Sequence, residues 1–508
     1  MNKKLFLGIE LGSTRIKAVC VDEKYKVQDS GDYVWESNYE NGIWTYDIKE
    51  AISGVTEAIS QLKNLQNVSA VGISGMMHGY LAFDKDWNLL VPFRTWQNRM
   101  TGDAVEILER ELNYKIPQRW SIAHLYQAIL NKEEHIGKIA HITTLAGYIH
   151  YLLTGENCLG ICEASGMFPI DEKTNDYNAG MLEKFDALTE NFEWKIKDIL
   201  PKVLVCGESG GCVTKEGSAH FGGVIPEGII AAPPEGDAAT GMVATNAVAP
   251  GTGNISAGTS IFSMVVLEKQ LSKIYREIDV VTTPDGMPVG MVHCANGTKD
   301  NNEWVSVLKE TAELFSEDVN MGDLYTKLYK KSLEGESDCG GILVCNYISG
   351  EGVTDLTSGR PLVVRKPGSK FTLANFMRAQ IYSAMATLML GMEIFKKENV
   401  RIDSISGHGG LFKTPGVGQR YMAAACGAPV ICMETAGEGG AYGMAILAGY
   451  AHRGKTGDFP EFLNTFVFAD MPKTTLSPDS EDEKGFRKYM EEYKKLIVVE
   501  RSAVENLI

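Results

Sequence analysis

Apolar residues recur along this chain with two spacings, a strand period of about two and a helix period of about 3.6, and the switches between them mark its elements. Positions 4–10, KLFLGIE, read as a buried strand, LGST as a tight turn, and RIKAVCVD as a second strand with alternating apolar positions. The spacing then predicts a helix from about Asp47 to Leu62 and a strand from Val68 to Gly75, whose end releases the loop MMHG. Between Trp96 and Gly155 the spacing is mainly helical, clearest in LYQAILN and LAGYIHYLLTG. A strand-like run, GIIAAPP from Gly228, ends at Gly236 and Asp237. A second hairpin signal follows at 253–266, GNISAGTSIFSMVV, where Gly258, Thr259 and Ser260 interrupt two β-prone runs. Leu373 to Asn399 reads as a long buried helix. After it come a strand RIDSIS, a turn GHGG at 407–410, a helix near Gln419 to Cys426, a strand APVICM and a helix EGGAYGMAILAGY. The charged stretch from about Ser477 has the pattern of a packed terminal helix.

This alternation defines an α/β chain. At 508 residues it exceeds the roughly 250–300 at which a single core stops growing, so two large halves are expected, with a hinge near Thr245 to Ala249. The boundaries expected are 1–246, 247–470 and a helical tail over 471–508. The hydrophobic fraction of 44% is that of an ordinary globular chain. A formal charge of −16 repels nucleic acid and anionic membrane, so neither is an expected partner. No apolar run reaches the ~20 residues of a bilayer span, and the start lacks the form of a signal peptide. Ten scattered cysteines without a C-x-x-C pair favour neither disulfides nor zinc, which fits a reduced, cytoplasmic setting. A homodimer is the default assembly expected of such a chain.

An anionic ligand would need glycine-rich backbone and a cation to enter so acidic a protein. GIELGSTRIK offers both: Gly12, Ser13 and Thr14 on a turn whose amides can face phosphate, Lys17 nearby, and Glu10 able to hold a cation through water. An ordinary Gly-Ser hairpin turn is the bland alternative. Gly258, Thr259 and Ser260 repeat that turn in the second half, and GHGG offers Gly409 and Gly410 to a nucleotide. No role is assigned to His408, and GEGGAYG from Gly437 reads as close helix packing. In PPEGDAATG, Asp237 follows a Pro-stiffened turn at a strand end, where it is either a helix cap or a general base for a hydroxyl attacking a γ-phosphate. His78 in MMHG, with Trp96, Asn98 and Arg99 in WQNR, combines an apolar platform with hydrogen-bonding groups suited to a polyhydroxylated ligand.

Taken in order, these motifs resemble the FGGY family of carbohydrate kinases over nearly the whole chain. GIELGSTRIKAVCVD is similar to the family's first phosphate hairpin, PPEGDAATGMV to its catalytic-aspartate segment, SAGTSIF to its second phosphate hairpin and SGHGGLFK to its adenosine motif. The resemblance implies two actin-like, ribonuclease H-like domains around a central ATP and sugar cleft, with Asp237 as base and ATP and Mg²⁺ as cofactors. It implies nucleotide contacts from Gly409, Gly410 and Leu411, and metal contacts from Glu10 and Asp237. MMHG is similar to the xylulokinase Q-M-H-G segment, which carries Met77 and His78 over as substrate contacts, and WQNR carries over Asn98 and Trp96. Glu10 stands where the family usually has Asp, Met76 replaces Gln, and WQNRMT is closer to the glycerol-kinase form. The expectation is phosphorylation of a ketopentose, D-xylulose at O5. The alternatives are another ketose or a polyol, and, from another class, an actin-like ATP-binding assembly protein.

Overall fold

The computed structural model describes residues 4–316, 318–434, 439–455 and 457–507. Strand β1, Leu5–Leu11, is buried along almost its whole length because it lies inside a sheet covered on both faces. It pairs antiparallel with β2, Arg15–Asp22, which pairs in turn with β3, Val27–Val34. A small hairpin of β4, Asn38–Glu40, and β5, Ile43–Thr45, leads into α1, Ile48–Ser60, and the chain returns as β6, Val68–Gly75, parallel to β1. The spatial order is Ile230–Ala231, β6, β1, β2, β3, with Glu235–Gly236 also pairing with β6.

The expected run GIIAAPP is therefore two short strands and not one. Pro233 and Pro234 fall between them, and a proline has no N–H to give to a ladder.

Alternation along β1 decides what each face meets. Leu5, Leu7, Ile9 and Leu11 join a core with α1 residues Ala51, Val55, Ala58 and Ile59, which recur at helical spacing. The Asp47 side chain caps α1 by accepting the Lys49 amide at 2.8 Å. Phe6, Gly8 and Glu10 face the helix Gly439–Arg453, which comes so close that a Cβ on Gly8 would lie 2.1 Å from the Ala441 carbonyl oxygen. That helix also lies against the helix Asp237–Ala244, where a Cβ on Gly443 would sit 2.0 Å from the Thr240 carbonyl oxygen. GEGGAYG thus serves close packing as read from sequence, from Gly439 onward; its first two residues lie outside the described ones.

Two compact units result, one of Met1–Val248, Asp279–Val289 and Glu438–Asp470, the other of Ala249–Ile278, Gly290–Gly437 and Met471–Ile508. The helix Gly439–Arg453 lies in the first, although the sequence boundary groups it with the second half; its glycines and alanines match the gap over β1 and β6. Between β6 and Ile230 the first unit carries an insertion with its own core, built around Trp120, Leu125, Phe168 and Phe185.

In the second unit the strand order repeats. Thr252–Ala257 pairs antiparallel with Ile261–Val266 and parallel with Ser404–His408, which is followed by Val430–Met433 and an antiparallel edge, Lys473–Leu476. The strand expected at RIDSIS begins at Ser404 and runs on to His408, because its pairing extends to Ser256 opposite His408, so the turn proper starts at Gly409. The long helix Leu373–Lys397 is buried on nearly every side. The terminal helix Ser480–Asn506 packs into this unit's core. Its buried Asp482 pairs with the buried Arg378 and with Arg420, and its Tyr489 hydroxyl donates to the Val344 carbonyl at 3.2 Å.

Candidate active site

At the first hairpin turn three successive carbonyls point into the protein. Gly12 O accepts the Trp35 indole N–H at 2.7 Å, Ser13 O accepts the Tyr46 hydroxyl at 2.7 Å, and Thr14 O accepts the Trp35 amide at 3.3 Å. The C=O and N–H of a trans peptide point opposite ways, so the amides of Ser13 and Thr14 are directed away from Trp35 and Tyr46. Such a run of outward amides is a nest for an anion. Trp35 and Tyr46, whose rings lie 4.4 Å apart, carry no motif and were not legible from sequence.

Asp237 opens the helix Asp237–Ala244, with Gly236 as its N-cap, so it is the first helical residue and not the cap itself. Its Oδ1 accepts the Met77 amide at 3.2 Å. Desolvation by the surrounding protein raises its pKa above the usual carboxylate value although the side chain stays accessible to solvent, opposed by backbone amides and by the positive charge of Arg119. Glu10, on β1, is pushed up to about 7 by burial and by the Asp237 charge, against the pull of the Ala441 amide at 3.1 Å and of Lys17. Lys17 lies directly opposite Glu10 across the β1–β2 pair, so it serves the carboxylate at least as directly as the turn. A Cβ on Gly440 would lie 2.5 Å from Glu10 Oε1, so glycine there is what lets the longer acid fit.

A half-buried Glu10 whose pKa the neighbouring Asp237 charge raises, and the exposed Asp237 itself, are a donor set for a hard cation, and Mg²⁺ commonly needs only one or two protein carboxylates beside phosphate and water. Glu10 and Asp237 fit that role. Among the described residues no group of three or more His, Cys, Asp or Glu assembles as a metal centre.

His78 sits in the left-handed backbone region at φ 74°, followed by Gly79 at φ 94°, a conformation that a side-chain-bearing residue adopts only where its surroundings impose it. The Arg119 carbonyl accepts the Gly79 amide at 3.3 Å, and the Ser121 hydroxyl donates to Gly79 O at 2.5 Å. His78 Nδ1 lies 3.2 Å from the Gly166 carbonyl. A carbonyl only accepts, so Nδ1 bears the hydrogen and Nε2 is left as an acceptor. Burial and the Arg119 charge hold His78 neutral, well below the ordinary histidine range.

Four further charged residues belong to this region. Arg119 pairs with Asp279 at 2.5 Å. Glu235, fully buried, accepts the Glu163 amide at 2.9 Å and is pushed by burial up to about 8. Glu163 is raised well above the carboxylate range by burial, and its Oε2 would be 2.4 Å from a Cβ on Gly236. Burial thus favours the neutral form of both acids, which flank the residue before Asp237. Glu235 stands inside PPEGD, where its place beside Asp237 was a signal; Arg119, Glu163 and Asp279 are lone residues far apart in sequence.

In the WQNR segment the Asn98 amide is committed to backbone, while Trp96 and Arg99 are open to solvent. Asn98 is buried, with Oδ1 accepting the Trp44 amide at 2.9 Å and Nδ2 donating to the carbonyls of Trp44 at 2.8 Å and Thr95 at 3.0 Å. Its amide thus completes a pair of backbone bonds to β5. Trp96 and Arg99 are exposed.

In the second unit the turn Gly258–Ser260 repeats the first turn's device. Gly258 O accepts the Thr298 amide at 2.9 Å and Thr259 O accepts the Gly297 amide at 2.8 Å, which turns the Thr259 and Ser260 amides the other way. Gly409, at φ 98°, lies against Ala257, whose carbonyl oxygen would be 2.6 Å from a Cβ there. Leu411 is buried beneath the turn, while Gly410 is exposed.

A strand order repeated in two units, each with an inward-carbonyl turn after its first strand, is the architecture of a two-domain actin-like kinase. The chain belongs to the FGGY family of carbohydrate kinases: residues 5–244 match the model of the family's N-terminal domain and residues 253–452 that of its C-terminal domain. It is a sugar kinase, and ATP use follows from that family. The chain is 23% identical over 517 residues to a xylulose kinase of Haemophilus influenzae, covering 96% of this chain and 98% of that one. In fold it is similar to a gluconate kinase from Lactobacillus acidophilus, with a TM-score of 0.81 at 17% identity and 99% of both chains covered. A ligand-bound xylulose kinase from the same organism gives 0.80 at 17% identity, again with 99% of both chains covered. No described helix is long and apolar enough to cross a membrane.

Proposed function

We propose that this protein transfers the γ-phosphate of ATP to a primary hydroxyl of a ketopentose, D-xylulose at O5, with Asp237 as the general base. The observation that carries the reading is Asp237 itself, a solvent-accessible carboxylate of raised pKa oriented by the Met77 amide on the loop that also bears His78. A base of raised pKa is a better proton acceptor than a free carboxylate. Asp237 takes the proton from the attacking hydroxyl as its oxygen closes on the γ-phosphorus.

His78 Nε2 accepts a hydrogen bond from another sugar hydroxyl, and Met77 lines the same loop. The amides of the Gly12–Thr14 turn bind phosphate oxygen, with Lys17 and Glu10 behind them. In the second unit Gly258, Thr259 and Ser260 contact phosphate, and Gly409, Gly410 and Leu411 support the nucleotide. Glu10 and Asp237 would hold Mg²⁺, whose charge would offset that of the phosphates. Asn98 acts in this reading through β5, and the exposed Trp96 and Arg99 are available to contact the sugar.

A coupled ADP-release panel over ketopentoses, ketohexoses and alditols tests the proposal. D-xylulose is expected to give the highest kcat/KM. A clear preference for glycerol or another alditol would overturn the choice of substrate, and filament assembly on ATP without sugar-stimulated ADP release would overturn the reaction.

A further inference from the structure

Arg119 and Asp279 stand beside the proposed sugar loop without being part of any motif. The Arg119 carbonyl holds the Gly79 amide, so its Cα is fixed against the residue that follows His78. Its guanidinium meets Asp279 Oδ2 at 2.5 Å, with the two side chains only 23% and 14% exposed. Its charge reaches both His78 and Asp237, pulling each pKa down. Asp279 comes from the segment Asp279–Val289, which leaves the second half of the sequence to pack in the first unit.

We infer that the Arg119–Asp279 pair sets the charge class of the substrate, reserving the site for an uncharged polyol and excluding a polyhydroxy carboxylate of the same length. This rests on the kinase reading above. A guanidinium is a ready fork for a carboxylate, and beside His78 a free one would seat the acid end of an aldonate. Asp279 occupies that fork. A carboxylate entering here would meet Asp279, Asp237 and Glu10 with the nearest guanidinium already paired. An uncharged sugar meets no such repulsion, and the guanidinium keeps N–H donors beyond the one given to Asp279 for a hydroxyl.

The test is steady-state ADP release by the full chain with neutral ketoses and alditols against aldonates of five and six carbons, for wild type, Asp279→Asn and Asp279→Asn/Arg119→Met. Wild type is expected to favour the neutral compounds. Asp279→Asn should raise the ratio of aldonate to neutral kcat/KM by about tenfold or more, and the added Arg119→Met should abolish that gain. An unchanged ratio, with activity and thermal midpoint falling together, makes the pair a structural brace and overturns the inference. The wild-type chain gives an independent arm: alditols should inhibit competitively against the sugar and aldonates should not, whereas equal inhibition by both overturns it. A wild-type chain releasing no ADP with any of these compounds overturns the kinase reading, and the inference with it; activity on neutral sugars with an unmoved ratio overturns the inference alone.

Discussion

The hydroxyl of Tyr46 donates to the carbonyl of Ser13 at 2.7 Å, and by fixing that peptide it aims the Thr14 amide outward. The bond links two residues that no motif connects. Tyr46→Phe keeps the ring packed on Trp35 and removes only the donor. A hydrogen bond contributes about 0.5–1.5 kcal/mol net, so the KM for ATP should rise roughly two- to tenfold while the KM for sugar stays put. An equal rise in both constants would mean that Tyr46 acts on general stability and not on the turn.

Gly443→Ala should be costly although it adds one methyl. Its Cβ would fall 2.0 Å from the Thr240 carbonyl oxygen, which belongs to a helix backbone and has little room to move. Overpacking of this kind costs about 1–3 kcal/mol. Thermal unfolding should show a lowered midpoint, and kcat should drop too, because Asp237 and Glu10 are aligned through the same helix contact. A midpoint equal to wild type would show that the two helices separate freely.

Three buried histidines of the first unit should make it acid-sensitive. His124 is lowered to about 3 and His150 to about 4, in both cases chiefly by burial, and His78 is lowered as well. Their folded pKa values lie below the unfolded one near 6.5, so between about 4 and 6.5 the unfolded chain binds the extra protons. Stability is therefore full above about pH 6.5 and is lost as pH falls through that window. Neither His124 nitrogen has a partner among the described residues, so His124→Leu should lose less stability than wild type between pH 7 and pH 5. Thermal midpoints at the two pH values check this, and identical drops would contradict it.

Elements with a strong local signal were legible in the sequence. Both hairpins, α1, β6, the long helix and the terminal helix were expected within a few residues of where they fall, because each carries its own periodicity or capping residue. What escaped was set by distant partners. The helix Gly439–Arg453 is local as an element, but its membership in the first unit follows from the missing side chain of Gly8, far away in sequence. Asn98 was expected at the sugar because an amide can recognise hydroxyls, and a peptide group at Trp44 claims that amide instead. Arg119, Glu163 and Asp279 carry no local pattern, so only the folded chain brings them near Asp237 and His78.

Asp237 carries the central claim, and its pKa, raised chiefly by desolvation, predicts a pH profile as well as a mutant. The base must be ionised, so kcat/KM should fall as pH drops through a value above the usual carboxylate pKa of about 3.9. The most direct measurement is sugar-dependent ADP release by Asp237→Asn, an isosteric change that keeps an oxygen for the Met77 amide. A folded variant with turnover reduced by roughly 10²–10⁴ or more is the expected result. Full turnover from that same folded variant would contradict the assignment of Asp237 as the base.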